Sequence, residues 1–577
     1  MVEKIWSMAP DNPQAQSAIG RELGLEPLIC RLLTNRGVTT AEEAESFINP
    51  RLSSISDPFS IPSMDKAAER LALARERQEK VVIYGDFDVD GLTAAASLKK
   101  FLDECCVHVS TIIPERNSGR RGMTPEDLER VKHEGAALVV TVDTGATNLD
   151  AARRAAELGL DMVITDHHEP SEEKPLAHAV VNTHYCGKDS PNADLSGAGV
   201  AFKLMMAARK AIFGAASAKQ PNLKRLLSMV ALGTVADCVP LRGENRVMVR
   251  HGLDELASKS LTPGLAALKS VCKLAGRPVT TRDISFDLAP RLASASRMNN
   301  ARAAMELLGA MDTGRAAGLA STLDSLNGKR KIIQDRIWAE ARSMAQALSA
   351  EEKESALVLD GDGWEPGVIG IVASRLVDEY RVPVVIISFD GEAGKGSCRS
   401  IAGFDIHSAL AHAAEHTDAF GGHAGAAGLY ISREKFAPFK KMFLSNAREK
   451  MEYTSLIPKV YIDMEMDPTL ATLELARRLA IMEPFGDPVP SPAFLGSNLF
   501  LCQAPEYIGE DGQSVRLSFR VEGRQAQAIG FKMAWFFHGF DWKHTSLDMV
   551  YTPEINYWAD AERLRLRVID IRKSQRD

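Results

Sequence analysis

Side chains able to hold a metal recur after apolar runs in the first half of the chain. VVIYG leads into Asp86, Asp88 and Asp90 in the string DFDVDG, LVVTV into Asp143, MVIT into Asp166-His167-His168, and MVALGTVA into Asp237. Carboxylates and imidazoles converging on one place suit hard or borderline divalent cations, chiefly Mn2+ or Mg2+, and two such ions can clamp a scissile phosphate. No cysteine stands among these donors, which argues against a structural zinc. DFDVDG also resembles the start of a calcium loop, but that loop needs a later Glu and flanking helices, whereas an apolar strand pattern precedes it here. Taken singly, Asp143 or Asp237 reads as a cap or turn residue, and DHH is a weak three-residue match. Their ordered recurrence after successive buried runs is what points to a site.

For these residues to meet, the apolar runs must lie side by side. VVIYGD, VSTIIPE, ALVVTVDTG, MVITDHH and AVVNTH each read as a buried strand ending in a polar or Gly turn, with helical patterns such as NLDAARRAAELG between them. That alternation predicts a parallel sheet covered by helices on both faces, with ligands at the carboxyl ends of the strands. MVALGTVA is read as one more such run. Residues 1–60 form a leader of short helices. LDSLNGKRKIIQDRIWAEARSMAQAL reads as a helical connector to a second α/β unit beginning at ALVLDGDGW. From about Val460, VRLSFRVEG, AQAIGFKM, LDMVYTPEI and LRLRVIDI alternate with period two, which predicts a small antiparallel barrel or sandwich.

At 577 residues the chain exceeds one hydrophobic core, and about 150 residues per domain implies three or four units. A formal net charge of -7 excludes a globally basic nucleic-acid binder but leaves room for a local basic track. The segment MVEKIWSMAPDNPQ lacks the apolar core of a secretory signal, and no run reaches the ~18 apolar residues of a membrane span. The eight scattered cysteines read as reduced thiols. The expectation is a cytoplasmic protein with no membrane partner.

GDFDVDG, VTVDTG, VITDHH and ALGTVAD, in that order, resemble the four metal motifs of the DHH phosphoesterases. The leader LLTNRGVTTAEEAESFINPRLSSISDPFSIPSMDKAAER and the segment SGAGVAFKL narrow the resemblance to the RecJ family of exonucleases. GVIGIVASRL, GKGSCRSIAGFD and FGGHAGAAGL resemble a DHHA1 domain, and EPFGDP with LRVIDIR resembles that family's oligonucleotide-binding (OB) barrel. The resemblance spans nearly the whole chain. It implies an α/β protein with a leader at 1–60, a parallel-sheet DHH domain at 61–320, a long helical connector at 321–350, an α/β DHHA1 domain at 351–455 and an OB-like β-barrel at 456–577. Two ions, Mn2+ or Mg2+, would be held by Asp86, Asp88, Asp90, Asp143, His167, His168 and Asp237, with Asp88, Asp90, Asp143 and His168 nearest the chemistry. Arg116, Arg297, Ser397, Arg399, Ser400, Gly421, Gly422 and His423 would bind substrate phosphate. Alone, an Arg is more often a solvated charge and a Gly cluster a tight turn. In this company they read as phosphate donors.

The resemblance implies a single-stranded-DNA-specific 5′-to-3′ exonuclease that releases 5′-mononucleotides in DNA repair and recombination. It further implies a monomer, with single-strand-binding protein and a helicase as candidate partners. Four segments depart from the family pattern. NSGRRGMT stands for Glu-Gly-Tyr-Gly, ASASR for Asn-Ala-Ala-Gly-Arg, Cys398 for a glycine, and EPFGDPVPSP for a Gly-Asn-Pro run. None removes a metal donor, and Arg120 and Arg121 are candidates for added phosphate contacts. A DHH-DHHA1 phosphodiesterase of short oligoribonucleotides or nucleotide second messengers is the alternative enzyme, but such proteins generally lack the leader and the barrel. A non-catalytic replication scaffold would lose metal donors that this chain retains.

Overall fold

Buried on both faces, a strand rich in Val and Ile needs neighbours above and below it, and the first five apolar runs find them. The computed structural model describes residues 4–116, 122–214, 221–451, 459–509, 512–521, 523–558 and 561–574, so Arg120 and Arg121 lie outside the described residues. Strand β1 (Lys80–Gly85) is followed by helix α1 (Val89–Glu104) and by β2 (His108–Ile112), β3 (Ala136–Val142), β4 (Asp161–Asp166) and β5 (Ala179–Asn182). They form a wholly parallel sheet in the order β2-β1-β3-β4-β5. Side chains alternate between two cores. Val81 and Ile83 pack with α1, with helix Met64–Glu76 and with α2 (Gly197–Phe213). Val82 and Tyr84 pack with helices Pro125–His133 and Leu149–Glu157.

One expected run is not a strand. MVALGTVA belongs to α3 (Leu227–Ala236), whose residues Leu227 to Val235 are all buried. A continuous apolar run cannot be told from a buried helix by periodicity alone, and the ten residues found here favour helix. Asp237 therefore reaches the site from a helix end. Downstream, α4 (Ala289–Arg297) packs on α5 (Thr313–Ala347), a 35-residue helix about 52 Å long that leads to the second sheet.

The second sheet consists of β6 (Leu357–Asp362), then helix α6 (Pro366–Tyr380), β7 (Val384–Asp390), β8 (Ala393–Arg399), β9 (Ala419–His423) and β10 (Ala426–Ser432). Its order is β9-β10-β8-β7-β6, with only β6 and β7 parallel. Arg297 at the end of α4 donates to the Gly367 carbonyl of α6 (2.9 Å), and Lys395 of β8 donates to the Arg116 carbonyl (3.5 Å), so the two units meet beside the ends of β1 and β2.

The C-terminal strands form a seven-stranded sheet that is mixed rather than antiparallel: Arg524–Gly530 runs parallel to Ala561–Lys573, and Met464–Glu465 parallel to Phe494–Leu499. Alternation reveals that strands are half-buried but not their relative direction, which the connections decide. The leader packs into this unit. Ile19, Leu32 and Leu33 share a core with Phe494, Phe519 and Tyr551, and a leader strand, Ile5–Met8, pairs in parallel with Lys459–Ile462.

Candidate metal centre

Five strand or helix ends deliver donors to one place. Asp86 follows β1, and its amide donates to Val142 O on β3 (3.3 Å). Asp88 caps α1, its carboxylate accepting the Gly91 amide (3.0 Å). A Cβ on Gly91 would fall 2.5 Å from Asp86 O, so the glycine of DFDVDG permits the close turn. Asp90, in the first turn of α1, accepts the Gly197 (2.6 Å) and Ala198 (3.0 Å) amides that start α2, where the positive end of a helix favours a carboxylate. Asp143 follows β3 with φ +62°, a left-handed conformation that Asp tolerates better than a branched residue. Glycine is again needed beside it: a Cβ on Gly197 would lie 2.4 Å from Asp143 Oδ1.

Asp166 at the end of β4 accepts the amides of Ala146 (2.8 Å), His167 (2.8 Å) and His168 (3.1 Å), and its Oδ1 lies 2.8 Å from His168 Nδ1. That places the proton on Nδ1 and leaves Nε2 of His168 for a ligand. His167 Nε2 lies 3.1 Å from Asp143 Oδ1, 3.6 Å from Asp237 Oδ2 and 3.9 Å from Asp90 Oδ2. Three groups of donors, each with its ligand atoms within 4.8 Å of one another, use all seven expected residues: Asp86-Asp88-Asp143, Asp143-His167-His168 and Asp90-His167-Asp237. Asp143 belongs to two groups and His167 to two.

The electrostatics call for a cation. Burial, then the charge of Asp88, pushes the Asp86 and Asp237 carboxyls up to about 7. Burial and neighbouring carboxylates hold Asp90 and Asp143 well above the ordinary range. Burial, with His168 adding to it, lowers His167 to about 4, so its short approaches to three carboxylates are not ion pairs. The Asp166 hydrogen bond raises His168 to about 9. Burial acts upward on Asp166, yet its bond from His168 and the amides keep it below the usual range. Both carboxylate oxygens of Asp143 and Nε2 of His167 are buried with no hydrogen-bond partner among the described residues. Lone pairs aimed at one another in a buried space fit divalent cations and are costly otherwise.

Positive groups stand on the facing side. The Arg116 guanidinium lies 4.9 Å from the Phe87 ring centroid. Burial, then the charges of Arg116, Arg330 and Arg399, lowers Arg297 to about 9, so it remains charged near neutrality while repelled by its neighbours. Burial also lowers Arg399. An anion brought among these guanidiniums relieves that repulsion. Ser397 and Arg399 alternate with Cys398 along β8, and the register aligns Ser397 with Gly428 and Gly421, and Arg399 with Ala426 and His423. Cys398 points into the opposite core, which makes its replacement of glycine a packing matter. Gly422 has φ +145°, and a Cβ there would meet Ala426 O at 2.4 Å, whereas the space above Gly421 is open. Ser400 is engaged as a loop brace, its hydroxyl donating to Phe404 O (2.6 Å).

Three positioning groups were not among the expected site residues. Asp166 stands in the DHH string itself and orients His168. Asn182 at the end of β5 donates to His168 O (2.9 Å). Ser296, in the departing ASASR segment, donates its hydroxyl to Phe87 O between Asp86 and Asp88. The EPFGDP segment docks on the first domain instead of facing the site: Leu241 N donates to Asp487 O (2.6 Å) and Thr281 Oγ1 to Phe485 O (2.7 Å).

Family models match three segments: the DHH family N-terminal domain at residues 80–234, the DHHA1 domain at 353–449 and the RecJ OB domain at 462–570. The chain is 33% identical over 575 residues to the single-stranded-DNA-specific exonuclease RecJ of Bacillus subtilis, covering 99% of this chain and 71% of that protein. Two solved structures of RecJ from Thermus thermophilus are similar over 99% of this chain. One, in complex with Mn2+, has a TM-score of 0.81 at 27% identity and is covered over 80% of its length. The other, in complex with Mg2+, has a TM-score of 0.75 at 25% identity and is covered over 79%.

Proposed function

This chain belongs to the RecJ family of single-stranded-DNA-specific exonucleases, and on that premise we propose that it hydrolyses single-stranded DNA from the 5′ end, releasing 5′-mononucleotides. The observation that carries the reading is the pair of orphaned donors, Asp143 and His167, in a centre whose Asp86 and Asp88 interact with the charges of Arg116 and Arg297. Asp86, Asp88, Asp90, Asp143, His167, His168 and Asp237 would hold two divalent cations, Mn2+ or Mg2+. Bound there, the cations supply Lewis acidity toward phosphate and a strong nucleophile near neutral pH.

The chain's own residues divide the remaining work. Asp166 fixes the tautomer and orientation of His168. Ser296 holds the backbone between Asp86 and Asp88. Arg116 and Arg297 balance charge on the scissile phosphate, and Arg399, Ser397, His423 and the Gly421-Gly422 turn hold the terminal 5′ phosphate across the junction between the two sheets. An end bound on one domain and a bond cut on the other would set polarity and product length together. The reading extends to a cytoplasmic monomer acting on strands that a helicase and single-strand-binding protein present. No described helix is long and apolar enough to cross a membrane.

The test is digestion of 5′- and 3′-labelled DNA and RNA oligonucleotides with Mn2+ or Mg2+. Mononucleotides released from the 5′ end of DNA support the proposal. A ladder growing from the 3′ end, or preference for RNA dinucleotides, overturns it.

A further inference from the structure

The helical rod that ends at Arg297 begins sixteen residues earlier. Thr281–Asp283, a π-helical turn Ile284–Leu288, and α4 follow one another without a break. Residues 282, 286, 290, 293 and 297 are spaced by four, four, three and four, which sets them on one face, with 282 and 286 exposed and 290, 293 and 297 half-buried. Arg297 occupies the site end of that face. At the other end Phe286 is 65% exposed, and the Arg282 guanidinium lies 4.7 Å from its ring centroid. Between them Pro290 and Ala293 leave a low floor.

A lone exposed phenylalanine needs no explanation, but Phe286 is not a lone feature. It sits in a π turn, an uncommon geometry that is frequent at functional sites. It also lies where the first domain meets the C-terminal one: Thr281 Oγ1 donates to Phe485 O (2.7 Å), and Arg277 lies 5.0 Å from the Tyr557 ring centroid. Across that junction a second pair repeats the chemistry, with Phe531 44% exposed and the Arg565 guanidinium 5.7 Å from its ring centroid. Glu554 pairs with both Arg565 and Arg567, which leaves the patch formed with Arg282 net positive. Asp287 lies 4.0 Å from Arg291, which pairs more closely with Asp324 (2.8 Å).

We propose that this face is the track along which single-stranded DNA runs between the metal centre and the C-terminal domain, with Phe286 as a stacking platform for one base and Arg282 beside it. An aromatic face stacks any base, and a neighbouring guanidinium serves both the ring and the phosphate backbone, which suits an enzyme that reads no sequence. The inference rests on the nuclease reading above. Phe286 lies 11 residues from Arg297, about 16 Å at roughly 1.5 Å per helical residue, or about five nucleotides at about 3.4 Å per stacked base. A strand shorter than that ends before reaching the ring.

The experiment uses the full-length chain, 5′-phosphorylated oligo(dT) of four and twelve nucleotides, and three variants: Phe286→Ala, Phe286→Trp and Arg282→Ala. Steady-state cleavage with Mn2+ is paired with fluorescence anisotropy in EDTA, where nothing is cut. Phe286→Ala is expected to weaken twelve-mer binding and to shrink the twelve-mer's KM advantage over the four-mer, each by roughly tenfold, the size of one lost stacked base. Phe286→Trp restores both, and Arg282→Ala gives a smaller loss that fades with added salt. If the parent binds and cuts single strands but Phe286→Ala keeps the full length advantage, this proposal alone is overturned. A parent that neither binds nor cuts any single strand overturns the nuclease reading with it.

Discussion

Asp143 Oδ1 and His167 Nε2 lie 3.1 Å apart, and neither atom has a hydrogen-bond partner among the described residues. Burial keeps the imidazole neutral near pH 7 and holds the Asp143 carboxyl above its ordinary range, so a cation that binds both atoms must displace any proton between them. Asp143 also closes the group with Asp86 and Asp88, so it couples the two halves of the centre.

Asp143→Ala is expected to lower nuclease activity by more than about a hundredfold, since even residues that merely orient metal ligands cost 10–100-fold when replaced. The same substitution removes a repelled buried carboxylate, so the metal-free protein should melt no lower than the parent. Melting curves with and without Mn2+ separate the two effects. The parent gains thermal stability on adding Mn2+, and the variant loses most of that gain. Activity within a few-fold of the parent would show that the centre lies elsewhere.

The pH dependence should reverse sign with metal. In the metal-free protein Asp86 and Asp237 have carboxyls near 7, raised from an ordinary value near 3.8. The folded state thus binds more protons than the unfolded one between those values, and stability falls as pH rises through about 7. Cations require these carboxylates ionised, so their binding releases protons and tightens with pH over the same window. Melting in EDTA at pH 6 and pH 8 should show the lower midpoint at pH 8. With saturating Mn2+ the carboxylates are ionised in folded and unfolded chain alike, while His167 and His168, ordinarily protonated below about 6.5, must be neutral to bind, so the order should invert. An unchanged order with metal would contradict the assignment of these residues as ligands.

Legibility in the sequence followed locality. Asp86, Asp88, Asp90, Asp143 and the DHH string stood out because each ends an apolar run and a parallel sheet collects such ends at one edge. Asp237 was expected at a strand end and stands at a helix end, since a fully buried helix and a buried strand share an apolar pattern. The leader strand Ile5–Met8 was invisible because its partner, Lys459–Ile462, is over four hundred residues away and neither segment alternates clearly. Arg246 was equally invisible. A single arginine on a helix reads as a solvated charge, yet this one is 4% exposed.

That arginine leads to a stability prediction. Arg246 donates to the carbonyls of Phe47 (3.0 Å), Met482 (2.8 Å), Glu483 (3.3 Å) and Pro484 (2.8 Å), and its guanidinium lies 3.6 Å from the Phe47 ring centroid. It ties the leader, the first domain and the C-terminal domain together. Arg246→Ala leaves several buried carbonyls unpaired and should cost roughly 3–5 kcal/mol in chemical denaturation, with faster proteolysis of the C-terminal domain. Because the leader shares a core with that domain, cutting the chain at about residue 455 exposes Ile19, Leu32 and Leu33. Such a truncation should be insoluble unless residues up to about 50 are removed as well. A well-behaved 1–455 fragment would contradict the shared core.

The last prediction concerns the strand's end. Arg399 and Ser397 share one face of β8, beside Gly421 and His423 in the register, while the proposed cation donors all lie on the first domain. An exonuclease built this way recognises a terminus on one domain and cuts on the other, so the recognised group should be the terminal 5′ phosphate. Arginine is suited to that group because a terminal phosphate offers several oxygens to a planar fork, whereas an internal one has two of its oxygens esterified. The parent should therefore prefer a 5′-phosphorylated oligonucleotide over its 5′-hydroxyl counterpart and leave circular single strands uncut. Arg399→Ala should erase the phosphate preference, raising KM for the phosphorylated strand by about 10–100-fold, the worth of a charge-assisted hydrogen bond of roughly 1.5–3 kcal/mol. Its effect on the hydroxyl strand should be several-fold smaller, since that strand never made the contact. Comparing parent and variant on both strands isolates the contact from any general damage to the fold, because damage would weaken the two strands alike. Equal losses on both strands, or circular DNA cut as fast as linear, would remove Arg399 from end recognition.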